Sequence, residues 1–511
     1  MPRVVGEGAA PASCHDHVSA ALFVLTVGAV AVLSIMYATD SDLRLPAFLT
    51  GDDGTSLADE VHLGATAAGL AFAGVLGLLF VFLLALFFSA WLLIVLAQLL
   101  TIGSLVAAGF ASLHFAAMPD PCLQSEVGAV CAPEGTAAWM YTSAIICFAL
   151  AALLLLWLWC IRERIAFTAT ILSSVAKVLL QLPELLLIQF GAGAAVGGFA
   201  VIWAFAYLET MSMANGQPCA CAITHAPPLP PPPFPPLTPR LYALSLSGWA
   251  VLILNVFAVF AFLWVQLVFI NISLVTTCGA VGSWYFSPAE TTSRGCLLCR
   301  PAVCMPLLRA CTTSLGSIAL GSLLVAIVRT IIVIVRFCAE SAGTQSSILK
   351  LAFCCCICLI SCLERCLKWL TDYAFVYVAV YGTPFITSGT KVLELLASSG
   401  VGAIAQQTLV TPVLSLAALL GAGCGGALGY TAHEITGISR YHHSVGILVG
   451  ASVGYFLTLL GLAPVDAGSK TLFVCYAESP RELASKSPEL HAKLREGAPL
   501  TPKDTSGMVQ P

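Results

Sequence analysis

The sequence predicts an all-α membrane protein, a polytopic helix bundle of about ten transmembrane helices with both termini in the cytosol. Three observations predict it. Residues are 59% hydrophobic and only 9% charged, against about 25% charged in a soluble domain, too few to cover a surface in water. Long stretches have almost no ionisable side chains. The net charge of -4 is spread over loops and tails, which argues against a nucleic-acid partner and for the lipid bilayer.

Residues 1-17 are polar and read as a cytosolic N-terminus. Residues 18-38 are uncharged and long enough to cross a hydrocarbon core of about 30 Å at 1.5 Å per residue. A cleaved signal peptide has a shorter apolar region and a basic lead, so this first span is read as uncleaved. The acidic stretch Asp40 to Glu60, with Arg44 its one basic residue, belongs outside. From Leu63 to Met118 the only ionisable side chain is His114. One helix over that stretch would be about 80 Å long, so two spans are predicted, 64-88 and 91-116. The next loop holds Asp120, Glu126 and Glu134 and no Lys or Arg, and is external by the positive-inside rule. A fourth span, 138-160, ends at Arg162 and Arg164 on the cytosolic side.

Pro183 and Glu184 divide Ile165 to Thr210. Two readings stay open: two spans, 165-182 and 185-208, or one span preceded by an interfacial helix, which inverts the sidedness of the following loops. The loop 215-239 (PPLPPPPFPPLTP) cannot form a regular helix and reads as a stiff polyproline-type spacer or a ligand for proline-binding domains. Leu241 to Ala289 is uncharged and too long for one straight span. The expectation is a span over 243-272 and a broken or re-entrant piece through Gly279, Gly282 and Trp284.

The next span is 312-337. A Cys-rich amphipathic segment, 345-371, has too short an apolar run to cross unaided and is expected to lie flat at the cytosolic face. Spans 408-430 and 441-462 form a final hairpin. Gly421, Gly425 and Gly429 repeat every four residues in the first and Gly446, Gly450 and Gly454 in the second. Such strips let helix backbones approach closely. The remainder, 464-511, reads as a cytosolic tail with a short surface helix at SPELHAKLREG.

Ser314 to Lys391 joins a hydrophobic span, the cysteines and a Tyr-rich run. Its Gly316, Ser317, Gly321 and Ser322, then the cysteines, then Tyr373, Ala374, Tyr381, Gly382, Thr383, Phe385, Thr387 and Ser388 follow one another. This order resembles the choline transporter-like family. TCGAVGSWYF (Thr277 to Phe286), VDAGSKTLFVCYAESP (Val465 to Pro480) and the RERIAF step at Arg162 extend the resemblance. It implies ten spans, a multi-pass location in the plasma membrane, and transport of choline, ethanolamine or a related organic cation by alternating access. A coupling proton is a candidate partner. Leu267, Ser273 and Leu274 depart from the family's pattern, in which an acidic residue and glutamines stand nearby.

A quaternary ammonium has no N–H to donate, so its natural host is a box of aromatic faces. The candidates are Trp203, Tyr207, Trp249, Trp264, Trp284 and Tyr285; each could equally serve as an interfacial belt aromatic. Lys177, Glu184 and Arg329 are ionisable groups within spans, a class that marks pathways. Cys122 and Cys131 flank a short external loop and form a disulfide candidate. Cys354, Cys355, Cys356, Cys358, Cys362 and Cys366 are lipidation candidates or plain small hydrophobes. The spacing of Cys296, Cys299, Cys304 and Cys311 offers one Cys-x-x-Cys pair, short of a structural zinc site, so no metal or other cofactor is expected. Adjacent residues such as His442 and His443 point to different helix faces, and no catalytic constellation stands out. A non-transporting scaffold, binding partners through the proline-rich loop and tail, is the second reading.

Overall fold

The computed structural model describes residues 16–40, 90–117, 122–125, 128–131, 136–214, 248–287, 300–341, 347–399, 402–436 and 443–497. The span expected at 64-88, the proline-rich loop, and Cys296 and Cys299 lie outside them. The described residues are helical apart from one short hairpin. Among the described residues, seven helices are long and apolar enough to cross a membrane. Many turn large apolar side chains outward, among them Ile253, Leu448 and Phe456 at 68% exposure. That pattern suits a lipid solvent, in which every backbone polar group must be paired within the segment and only helices or closed barrels can span.

The chain divides into two compact units, changing between them after Val61, at Pro183 and after Leu393. The first unit contains α1 (His17–Asp40), α5 (Glu184–Ala214), α6 (Gly248–Phe286), α7 (Pro301–Cys311), α8 (Leu315–Ser341), α9 (Ser347–Tyr381) and the start of α10 (Phe385–Ser399). Helix α6 packs against α5, α7, α8 and α9. The first turn of α1 is tied to the first turn of α8: Ser19 Oγ donates to Gly316 O at 2.7 Å, and Ser317 Oγ donates to Asp16 Oδ2 at 2.7 Å. Further along, Asn271 Nδ2 donates to the buried Ser322 Oγ at 2.8 Å.

The expected break in α6 is absent, because the helix is continuous from Gly248 to Phe286. Gly279 and Gly282 make room for neighbours instead. A Cβ on Gly279 would come within 2.8 Å of Pro306 Cβ on α7, and one on Gly282 within 2.8 Å of Val380 Cγ2 on α9. The Cys-rich segment is likewise continuous with the Tyr-rich run, in one helix, α9. Its first part is exposed and its end, Thr371 to Val378, is buried. Gly321 lies against Phe375, and Arg329 against Glu364, so α9 runs antiparallel along α8 over these positions. Gly382 ends α9 in the left-handed conformation, φ 64°, the usual role of glycine after a helix C-terminus.

The second unit contains α2 (Ala90–Ala116), the hairpin β1 (Cys122–Ser125) and β2 (Gly128–Cys131), α3 (Thr136–Ile161), a 3-10 turn at Arg162–Arg164, α4 (Ile165–Gln181), α11 (Gly402–Thr436), α12 (His443–Glu478), α13 (Pro480–Lys486) and α14 (Pro488–Gly497). Ile94, Ile161, Ile165, Ala169 and Leu409 form a core, and Gln98 Nε2 donates to Thr408 O at 2.9 Å. In α11 and α12 the glycines face one another: a Cβ on Gly425 would collide with Gly450 O, and one on Gly454 with Gly421 O. The hairpin sets Cys122 opposite Cys131.

The last helical span does not stop near 462. Helix α12 runs through Pro464 to Glu478, and Val465 to Tyr476 is almost wholly buried. Two of its polar side chains bond one turn back: Lys470 Nζ meets Asp466 Oδ2 at 2.7 Å, and Thr471 Oγ1 donates to Ala467 O. Helix α14 packs back on α4, with Leu494 fully buried.

Candidate functional site

The five aromatic candidates whose side chains are described do not form one box. Trp203 and Tyr207 are one turn apart on α5 and stack at 5.1 Å between ring centroids, with Phe262 of α6 4.8 Å from Trp203. Both polar edges are engaged, Trp203 Nε1 donating to Ala258 O at 3.1 Å and Tyr207 Oη donating to Asn255 Oδ1 at 2.6 Å. Trp264 is buried beside Phe23 and Phe260 and donates from Nε1 to Ala319 O at 3.0 Å, tying α6 to α8. The Trp249 side chain lies outside the described residues. Because α6 is unbroken, Trp264 and Trp284 stand about 30 Å apart along it and cannot enclose one small cation. The expectation rested on a fold-back at Gly279 and Gly282 that close packing replaces.

At the far end of α6 a different aromatic group assembles. Tyr285 is buried, its ring 4.9 Å from Phe286, and Phe286 lies 6.4 Å from Tyr381 of α9. Tyr381 is 5.6 Å from Tyr377, one turn back on the same helix. Trp284 is half-buried beside them in sequence. Lys391 of α10 brings its ammonium to 6.0 Å from the Tyr377 centroid and 5.9 Å from the Tyr381 centroid. This is the outer range at which a ring's negative face attracts a cation. The sequence reading passed over Tyr377, Phe286 and Lys391; the four-residue spacing of Tyr373, Tyr377 and Tyr381 was the available signal, since it stacks rings on one helical face.

The ionisable residues flagged within spans separate by role. Glu184, in the first turn of α5, meets Arg300 Nε at 3.1 Å just before α7, an acidic group at a helix N-terminus, where the dipole favours it. Arg329 Nε donates to Glu364 Oε1 at 2.7 Å, joining α8 to α9. Lys177 is exposed on α4. Cys304 and Cys311 lie on α7, and among the described residues no group of three His, Cys, Asp or Glu could hold a metal. All six cysteines from Cys354 to Cys366 are exposed on α9.

Residues 145–481 match the family model described as plasma-membrane choline transporter. The chain belongs to the choline transporter-like family. Among its relatives, protein PNS1 of Cryptococcus neoformans is 32% identical over 48% of this chain and 45% of its own length. Protein PNS1 of Yarrowia lipolytica is 26% identical over 69% and 59%, and a CTL-like protein of Dictyostelium discoideum 27% identical over 47% and 44%. The chain spans about half the length of the curated relatives it matches. The choline transporter-like match covers the whole aromatic group around Tyr377 and Tyr381, together with α5 to α10.

Proposed function

We propose that this chain transports choline or a related organic cation such as ethanolamine across the plasma membrane by alternating access. Membership of the choline transporter-like family supports the class. The observation that carries the substrate is the Tyr377–Tyr381 pair with an ammonium already over both rings. A methylated ammonium, lacking N–H donors, gains about 0.5 to 2 kcal/mol from such faces, depending on desolvation. Tyr377, Tyr381 and Phe286, with Trp284 and Tyr285, are the proposed substrate residues. Trp203, Tyr207 and Trp264 fit helix-tying roles, because their polar edges are bonded to neighbouring helices.

The proposed topology has ten spans with cytosolic termini, taking α1, α4 and the stretch 64-88 as spans beside the seven long helices. A proton gradient is the proposed coupling. The scaffold reading gains no support from the family. The test is uptake of labelled choline and ethanolamine by proteoliposomes, with and without a pH gradient. Saturable flux above that of empty liposomes is the expected result; absence of flux of either compound would remove the transport reading. Exchanging Trp284 for Leu is expected to raise the half-saturation concentration for choline several-fold at similar membrane abundance, and Trp284→Phe to raise it less.

A further inference from the structure

Lys391 is placed as a cation that the protein supplies to its own aromatic site. Tyr377 and Tyr381 are 1% and 7% exposed, and the ammonium of Lys391 lies over both rings, 6.0 and 5.9 Å from their centroids. The lysine makes no salt bridge among the described residues, although Glu394 is three positions on in the same helix. Its ammonium rests over the two rings instead. An ammonium is strongly hydrated and sits on a flexible four-carbon stem, so it can exchange this position for water. A second cation on the same faces would be repelled by it, and the two cannot occupy the site together.

We propose that Lys391 is a tethered surrogate for the transported cation. Its ammonium occupies the Tyr377–Tyr381 faces while the site is unloaded and withdraws when a quaternary ammonium enters. The unloaded carrier then never presents empty aromatic faces, and it can return across the membrane without cargo. This rests on the transport reading above.

The test compares wild type, Lys391→Gln and Lys391→Arg in two measurements. In proteoliposomes, labelled choline is followed as net uptake into choline-free vesicles and as exchange into choline-loaded vesicles. In detergent, choline and tetramethylammonium are titrated calorimetrically into the purified proteins, with thermal unfolding recorded alongside. Lys391→Gln is expected to bind both cations several-fold more tightly and to lose net uptake by about tenfold relative to exchange, while Lys391→Arg, which keeps the charge and stacks on aromatic faces, is expected to bind neither cation more tightly than wild type. Loss of affinity together with loss of thermal stability in Lys391→Gln would show a merely structural lysine and overturn the proposal. Equal net and exchange rates in that variant would do so too. If wild type moves neither compound in either mode, the transport reading fails by itself, and the titrations still decide. Unchanged affinity in Lys391→Gln, or no binding by either protein, sinks the surrogate, whereas tighter binding upholds it.

Discussion

A methyl group at Gly282 would come within 2.8 Å of Val380 Cγ2, closer than side-chain carbons normally approach. Gly282→Ala is therefore expected to destabilise the protein by about 1 to 3 kcal/mol through overpacking. Val380→Ala removes the colliding carbons, so the double variant should recover most of that loss, a coupling that thermal unfolding of the four proteins in detergent would measure. Additive losses would mean that α6 and α9 do not meet there. The same glycine shows what single residues reveal in a sequence. Gly279 and Gly282 stand out as weak helix formers, and in water that reads as a break. In a membrane or a protein interior an unpaired backbone group costs several kcal/mol, so the helix holds and the missing side chain serves a neighbour. The pairing of Lys391 with Tyr377 was illegible for another reason: the Gly382 turn brings them together, and nothing in local spacing sets that turn's direction.

Helix boundaries were legible wherever charge or proline marked them. The spans expected at 91-116, 138-160 and 185-208 differ from α2, α3 and α5 by a few residues. Helix α7 was invisible because Pro301, Pro306 and the cysteines hide an 11-residue element, and the extension of α12 because Asp466 and Lys470 look like a tail until they pair. Two predictions belong to elements. Gly425→Val should force α11 and α12 apart and lower the thermal midpoint, whereas Gly423→Val, where a Cβ would meet nothing within 4 Å, should leave it nearly unchanged. Equal effects would deny the close crossing. Directly opposed residues in an antiparallel pair have Cα atoms about 4.5 to 5.5 Å apart, within disulfide range. A Cys122–Cys131 disulfide is accordingly expected in non-reduced peptide maps, and free thiols at both positions would refute it.

At the scale of the whole chain, composition and uncharged runs were enough to read a multi-spanning membrane protein. The interleaving of the two units was not legible, because it depends on which distant helices pair and not on any one segment. That interleaving has a consequence for biosynthesis. Ser19 bonds to Gly316, 297 positions later, and Gln98 to Thr408, 310 positions later. At about 5 to 20 residues translated per second, α1 emerges from the ribosome roughly 15 to 60 s before its hydrogen-bonding partner exists. During that interval Ser19 has Asp16 O within its own turn and α1 has α5 as a packing neighbour already made, but the α8 side of its first turn has no protein partner. Stalled nascent chains ending before Leu315 should therefore crosslink to the insertion machinery from a probe at Ser19, which is buried against Gly316 in the finished fold, and chains extended past Ser341 should lose that crosslink as α8 takes its place.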